Sequence, residues 1–414
     1  MKARALALLL LAAGAQAAPG APSALPPEAD VRRVLANLPA LRQGALNTQL
    51  AGAERDKLAA SPYEWTLRAG ASRRSAPGAE RYREQEVALE RPLRWFGKAG
   101  QDQALGEQGV TVARALHADA WHEAGRTLLR DWFDALRELA GVARLEEQLA
   151  VTQRLQAVAA RRVQAGDGAA LDLLQADTEQ RRVLALLQQA RQRSEQTLTL
   201  LAVGYPGLPR PQADALPLPQ ADGEATASWV QRIEHMEHME HDSHELQLAQ
   251  AQADLHAMRA SRLASDAMPD PTLALRATRE RDGQERVIGV SLSFPLPGAG
   301  RAADRSAAAI QASLARERVT QTRLRVTLAA RRAASDSVHA REIWTTLQEV
   351  QQHTVRQAEL MQRAYQAGEC TLADALAGRR QALDAALAAQ TAQIEALAAQ
   401  ARLQLDAHAI WSID

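Results

Sequence analysis

Residues 161–174 read R-R-V-Q-A-G-D-G-A-A-L-D-L-L, and residues 363–376 read R-A-Y-Q-A-G-E-C-T-L-A-D-A-L. In register, Arg161 matches Arg363, Gly166 matches Gly368 and Asp172 matches Asp374. A second landmark keeps nearly the same offset. Val87 to Lys98 reads V-A-L-E-R-P-L-R-W-F-G-K, and Val290 to Arg301 reads V-S-L-S-F-P-L-P-G-A-G-R. Two landmarks that recur about 200 residues apart mark a duplicated structural unit.

A run without proline leads into each copy of the first landmark, from Lys98 to about Val163 and from Arg301 to about Tyr365. As helices at 1.5 Å per residue, each would reach ~100 Å. A helix of that length needs neighbours along it, as in a coiled coil or a helical barrel. Glycine is the usual C-terminal cap residue. The helical pattern then resumes, over Ala169–Ala202 and from Leu372 to about Ile410. The landmark is therefore read as the tip of a helical hairpin, at about 164–169 and 366–371. Asp172 and Asp374 fall in the first turn of the returning helices, where a carboxylate suits the helix dipole.

Ahead of each long run the period changes to two. Tyr63, Trp65, Leu67, Ala69 and Ala71 alternate with Glu64, Thr66, Arg68, Gly70 and Ser72. A turn at Pro77-Gly78 precedes a return run with Val87 and Leu89 on one face. In the second copy Leu273 and Leu275 alternate with Thr272, Ala274 and Arg276, Asp282-Gly283 marks the turn, and Val290, Leu292 and Phe294 follow. These are read as β-hairpins over about 63–92 and 271–295. Strands of ~10 residues, apolar on one side and small or polar on the other, suit a transmembrane barrel. A soluble hairpin packed on helices would show the same alternation.

The rest of the chain frames two halves. A charged start (Lys2, Arg4), an apolar run over Ala5–Ala13 and Ala15-Gln16-Ala17 read as a signal peptide over 1–17. A Pro/Ala/Ser-rich leader over 18–29 follows. The first repeat is expected over 30–203, with a helical segment to Ala60 and a break near Pro39 or Gly44. Residues 204–228 hold Pro206, Pro209, Pro211 and Pro217 and read as a linker. The second repeat spans 229–414 and opens with a helix from Trp229 to Ala267. In each half the helix before the hairpin and the helix after the tip add up to roughly the length of the long helix, so they stack alongside it.

Composition narrows the function. Lys plus Arg and Asp plus Glu are both 49, which removes the electrostatic footprint of a nucleic-acid binder. Aromatics make up 3%, fitting long, closely packed helices rather than a mixed aromatic core. Cys370 is the sole cysteine, so no internal disulfide forms and no lipid-modified N-terminal cysteine is expected. No nucleophile–base pair or phosphate-cradling loop is visible, so no enzymatic activity and no cofactor are expected.

Bilayer-embedded backbone needs internal partners, so an open sheet edge is not allowed there. Four strands from one chain cannot enclose a water-filled lumen; two copies give eight strands and three give twelve. Signal peptide, duplicated helix–hairpin–helix units, the P-L-x-x-x-G-[KR] exit and the R-x4-G-x5-D-x-L tip together make the chain resemble the TolC family of outer-membrane efflux proteins. The resemblance covers essentially the whole mature chain. It implies a mainly α fold with a small β part, assembled as a homotrimer into a long α-helical barrel plus a transmembrane β-barrel. It further implies an outer-membrane location in a Gram-negative cell, contact with outer-membrane lipid, and partnership with a periplasmic adaptor and an inner-membrane efflux pump.

Carried over residue by residue, the resemblance implies adaptor docking at Arg161, Gly166, Asp167, Gly168 and Ala169, and at Arg363, Gly368, Glu369, Cys370 and Thr371. The tight turn alone also accounts for the glycines. Asp172 and Asp374 are implied at the periplasmic gate. Asp374 holds the place of a carboxylate lining the narrowed entrance, while Ala377 stands where a second would be. Under threefold symmetry Asp374 becomes a ring that can bind cations.

One further oddity is His235-Met236-Glu237-His238-Met239-Glu240-His241-Asp242-Ser243-His244, with four of the ten histidines. Imidazole and thioether are transition-metal ligands, which makes His235, His238, Met239, His241 and His244 candidate ligands. On one helix, His235/Met239, Glu237/His241 and Glu240/His244 would be i,i+4 pairs. A polar, solvated helix start is the plainer reading, and no spacing here matches a structural zinc site. The cluster and the hairpin exit lean toward the heavy-metal branch of the family, of the cobalt–zinc–cadmium or copper/silver type. A channel for drugs or other small molecules, and a soluble periplasmic coiled-coil scaffold or metal-binding protein, are the competing readings.

Overall fold

The computed structural model describes residues 24–75, 77, 81–214, 216–221, 224–234 and 243–413. The expected signal peptide and all but the last six residues of the leader lie outside the described residues, as does most of the Pro77-Gly78 turn.

Two helices open the described chain, α1 (Glu28–Asn37) and α2 (Pro39–Ala60). Leu38 between them is extended, and Pro39 takes the first position of α2, where a missing N–H costs nothing. The expected break near Pro39 is thus present. Strands β1 (Thr66–Arg74) and β2 (Tyr82–Pro92) form the first hairpin. Helix α3 (Lys98–Gln164) has 67 residues, about 100 Å at 1.5 Å per residue, and α4 (Ala170–Gly204) returns from its far end.

The second half repeats the order. Helix α5 (Glu224–Glu234) starts inside the stretch read as a linker. Helix α6 (His244–Ser265) follows, then β3 (Thr272–Glu280), β4 (Glu285–Ser293), the 69-residue α7 (Ala299–Ala367) and α8 (Leu372–Asp406). The helix expected from Trp229 to Ala267 is not continuous. Ser243 is extended and its hydroxyl accepts from the Leu246 N–H, so α6 begins afresh at His244.

The two hairpins join as one antiparallel sheet in the order β1-β2-β3-β4. The register sorts the side chains cleanly. Leu67, Leu89, Leu275 and Val290 align across all four strands, as do Ala69, Val87, Ala277 and Ile288. The alternate rows are Thr66-Glu90-Ala274-Ser291 and Arg68-Ala88-Arg276-Gly289. Across the middle of the sheet one face is thus apolar and the other small, polar or charged; on the apolar side these rows are flanked by Arg91 and by the row Ala71-Gln85-Arg279-Arg286. The β3–β4 turn places Arg281, Asp282 and Gly283 at positive φ, as the Asp-Gly pair suggested.

Helix α3 carries α2 against one part of its length and α4 against another, and it also packs on α6 and α8; α7 carries α6 and α8 in the same way. The expected columns of short helices beside a long one are therefore present. Along α7 the buried seam is Ala308, Ala312, Ala315, Val319, Thr322 and Val326, alternating steps of four and three. That is a heptad seam, and its small residues let the helix axes come close. The largest core lies where α1 meets the middle of α3: Val31, Leu35, Leu128, Trp132, Phe133 and Leu136 pack with Ile394, Leu405 and Trp411 from the C-terminal end.

Candidate functional site

The two helical tips use the same backbone device. In the first, the Gly166 N–H reaches the Val163 carbonyl at 3.1 Å and the Asp167 N–H reaches Arg162 at 2.9 Å. In the second, Gly368 reaches Tyr365 at 3.1 Å and Glu369 reaches Ala364 at 2.8 Å. This paired pattern satisfies the last helix carbonyls and needs a left-handed residue, and Gly166 and Gly368 have φ of 78° and 82°. The turn itself thus accounts for both glycines.

Past the glycines the tips diverge. A Cβ on Gly168 would lie 2.9 Å from the Val163 nitrogen, so that position admits no side chain without movement. Its counterpart is Cys370, whose thiol donates to the Met361 carbonyl at 3.3 Å. Ala169 caps α4 without a side-chain hydrogen bond. Thr371 caps α8 in a reciprocal box. Its hydroxyl accepts from the Asp374 N–H at 3.2 Å, and Asp374 accepts from the Thr371 N–H at 3.2 Å. The hydroxyl side chain of Thr371, with the backbone N–H, holds the exposed Asp374 carboxyl below its usual range.

The tips are clasped together. The Arg162 guanidinium lies 5.6 Å from the centre of the Tyr365 ring and approaches its hydroxyl at 3.4 Å. Beneath, Ala159 and Ala176 of the first hairpin pack with Leu372, Ala375 and Leu376 of the second. Deeper still, the buried Glu179 carboxylate of α4 takes Arg182 at 2.8 Å and Arg380 of α8 at 2.6 Å. Of the residues expected at the tips, Arg161, Asp167, Gly168, Ala169 and Asp172 lie on the first, and Arg363, Glu369, Cys370, Thr371 and Asp374 on the second. The links between them run instead through Arg162, Tyr365, Glu179 and Arg380. Sequence reading missed those four; Arg162 and Tyr365 lie inside the repeated landmark.

At the opposite end, the junction of sheet and helices hides a charge cluster. Lys98 is 1% exposed. Its ammonium donates to Asp266 Oδ1, Asp270 Oδ1 and the Met268 carbonyl, each at 2.8 Å, which uses all three of its protons. Arg262 bridges Asp102 and Asp266 at 2.6 Å each, and Arg94 reaches Asp102 at 3.2 Å. Three cations thus face three carboxylates. Burial raises the Asp266 and Asp270 pKa values, but the bonds from Lys98, with Arg262 on Asp266 and Tyr63 on Asp270, outweigh it and hold both low. Arg301, the counterpart of Lys98, binds the Asp266 carbonyl at 3.2 Å. The basic residue of each repeated exit therefore converges on the loop before β3. The G-[KR] repeat was the one signal of this in the sequence.

Of the His-Met segment, His235, His238, Met239 and His241 lie outside the described residues. His244 is the first residue of α6, and its ring meets those of His122 and His408. Burial, with Arg126 alongside, lowers His122 to about 4 against the pull of Asp406 and the Leu405 carbonyl.

No protein-family model and no curated protein matches the sequence. Solved structures do match. The outer membrane channel CmeC of Campylobacter jejuni superposes with a TM-score of 0.73 at 14% identity, covering 93% of this chain and 86% of that one. CusC, described in terms of folding and transmembrane channel formation, gives 0.75 at 14% identity, over 92% and 91%. A membrane protein from Pseudomonas aeruginosa gives 0.76 at 17% identity, over 94% and 95%. Over almost its entire length, the chain has the fold of outer-membrane channel subunits.

Proposed function

We propose that three copies of this chain form the outer-membrane conduit of a tripartite efflux system. Three four-stranded sheets join edge to edge as a twelve-stranded barrel, and the long helices form a periplasmic tube. The observation that carries this reading is the sheet. Leu67 is 70% exposed, Ile288 78% and Val290 71%, all on the apolar face. A contiguous exposed apolar face on an open sheet is unstable in water, and suits lipid once neighbouring copies cover β1 and β4.

Helix α7 supports the same assembly. Ile310, Leu314, Leu324, Leu328 and Val338 are exposed. Ile310, Leu324 and Val338 recur every two heptads, as do Leu314 and Leu328. They form a second apolar seam, outside the buried one, for a helix of the next copy. The clasped tips are read as the closed periplasmic gate and as the docking patch for an adaptor that links to an inner-membrane pump. The chain itself works as a passive conduit. We assign heavy-metal cations as the cargo, on the strength of the His-Met segment over 235–244.

Cell fractionation with bilayer recording tests the reading. The chain is expected in the outer membrane as a heat-modifiable oligomer that conducts in planar bilayers. Release by osmotic shock with no conductance would favour a periplasmic scaffold.

A further inference from the structure

Three histidines from distant parts of the chain meet at the start of α6. His244 opens that helix, His122 sits on α3, and His408 lies two residues past α8. Their ring centroids are 4.7 Å apart for His244 and His408, 5.4 Å for His122 and His408, and 5.9 Å for His122 and His244. Around a tetrahedral ion with metal–nitrogen bonds of about 2.0–2.1 Å, imidazole centroids lie roughly 3.2 Å from the ion and about 5 Å from one another. The triangle already has that size. Among the described residues no group of three or more His, Cys, Asp or Glu side chains is placed to hold a metal ion, so binding here requires the three rings to reorient.

The surroundings suit a cation. The His122 Nε2 faces the Leu405 carbonyl at 3.2 Å, which places the ring proton there and leaves Nδ1 to ligate. Arg126, Arg402 and Arg325 stand close by, and each is paired: Arg126 with Glu123 and Asp406, Arg402 with Asp406, Arg325 with Glu245. Three cations are thus matched in number by three carboxylates, with Arg126 acting on His122 more strongly than Asp406 does. His408 also holds an unusual backbone. Its φ is 57°, and the His408 and Ala409 N–H groups bond the Leu405 and Gln404 carbonyls at 3.0 and 2.9 Å. That is the turn that both helical tips make with glycine, and here an imidazole occupies the glycine position.

We propose that His122, His244 and His408 form a site for a divalent transition-metal cation of the imidazole-preferring class (zinc, nickel or copper(II)), which ties the C-terminal turn to α3 and α6. The site stands apart from the sheet and the tips, and it does not depend on the channel reading.

Purified full-length chain, stripped with chelator, is titrated with cobalt(II) followed spectroscopically and with zinc(II) followed by calorimetry. One ion per chain is expected, with the intense visible bands of four-coordinate cobalt that zinc abolishes. His408→Gly removes a ligand and relieves the left-handed residue, so the metal-free melting temperature should hold or rise. Zinc affinity should fall by at least about 10- to 100-fold, the loss typical of removing even an outer-shell partner of a metal ligand. His244→Gln should weaken binding similarly. His339→Gln, at an exposed histidine of α7, should bind as the parent does. Undiminished binding by both His408→Gly and His244→Gln, or absence of zinc binding by the parent, would each overturn the proposal.

Discussion

Asp374 can act in two ways, and the structure separates them. As a cap, its carboxylate receives the Thr371 N–H and partners the Thr371 hydroxyl. As a charge near the proposed entrance, it would become one of a ring of three. Asparagine keeps an acceptor for the cap and removes the charge; alanine removes both. In bilayer recordings, Asp374→Asn should lower cation selectivity while α8 amides keep their hydrogen-exchange protection. Asp374→Ala should lower selectivity, enlarge the leak and loosen the first turn. Unchanged selectivity and conductance in both variants would confine Asp374 to capping.

The roles of single residues were legible where they were local. Gly166 and Gly368 read as helix caps and Asp282-Gly283 as a turn, and the structure has positive φ at each. Partners far along the chain left no such trace. Nothing beside Glu179 foretells Arg380, and nothing beside His244 foretells His122 or His408. Those meetings are set by the register of 100 Å helices against one another, which no local pattern encodes.

Among the elements, the sheet gives a sharp contrast between its faces. Val290 lies on the apolar face and is 71% exposed, while its neighbour Ser291 lies on the other. Val290→Lys should cost about 2–4 kcal/mol near the bilayer midplane in folding titrations into lipid vesicles. Ser291→Lys should fold normally and reduce conductance. Equal effects would deny the lipid-facing assignment.

The junction below the sheet adds a pH signature. Asp266 and Asp270 are held low, so their contribution is present above the ordinary aspartate range and is lost as pH falls through it. Lys98→Met leaves those carboxylates without their shared ammonium and should cost about 3–5 kcal/mol at neutral pH, as for other broken buried pairs. That loss should shrink on acidification, because protonation relieves it. Melting curves at neutral and acid pH check the sign; a deficit that grows in acid would contradict it. Strand and helix periods were readable because side-chain polarity follows the period of the backbone. The pairing of β2 with β3 was not, since the two are separated by the whole of α3 and α4.

For the whole molecule, duplication supplies the parts for closure by symmetry. Each half contributes a hairpin and a long helix with shorter helices alongside, and the halves differ where they meet different surroundings. The first tip needs a bare Gly168 and lacks a capping side chain, whereas the second has Cys370 and a capping box. Repeat and period were enough to find the architecture. The proposed closure by three copies rests on an open four-stranded sheet and on an α7 seam that faces solvent in the single chain.

The most direct measurement is native mass spectrometry of the particle extracted from outer membranes in mild detergent. Three chains, dissociating together only when the barrel is unfolded, are expected. A single chain, or a stable assembly of any other number, would contradict closure by three four-stranded sheets.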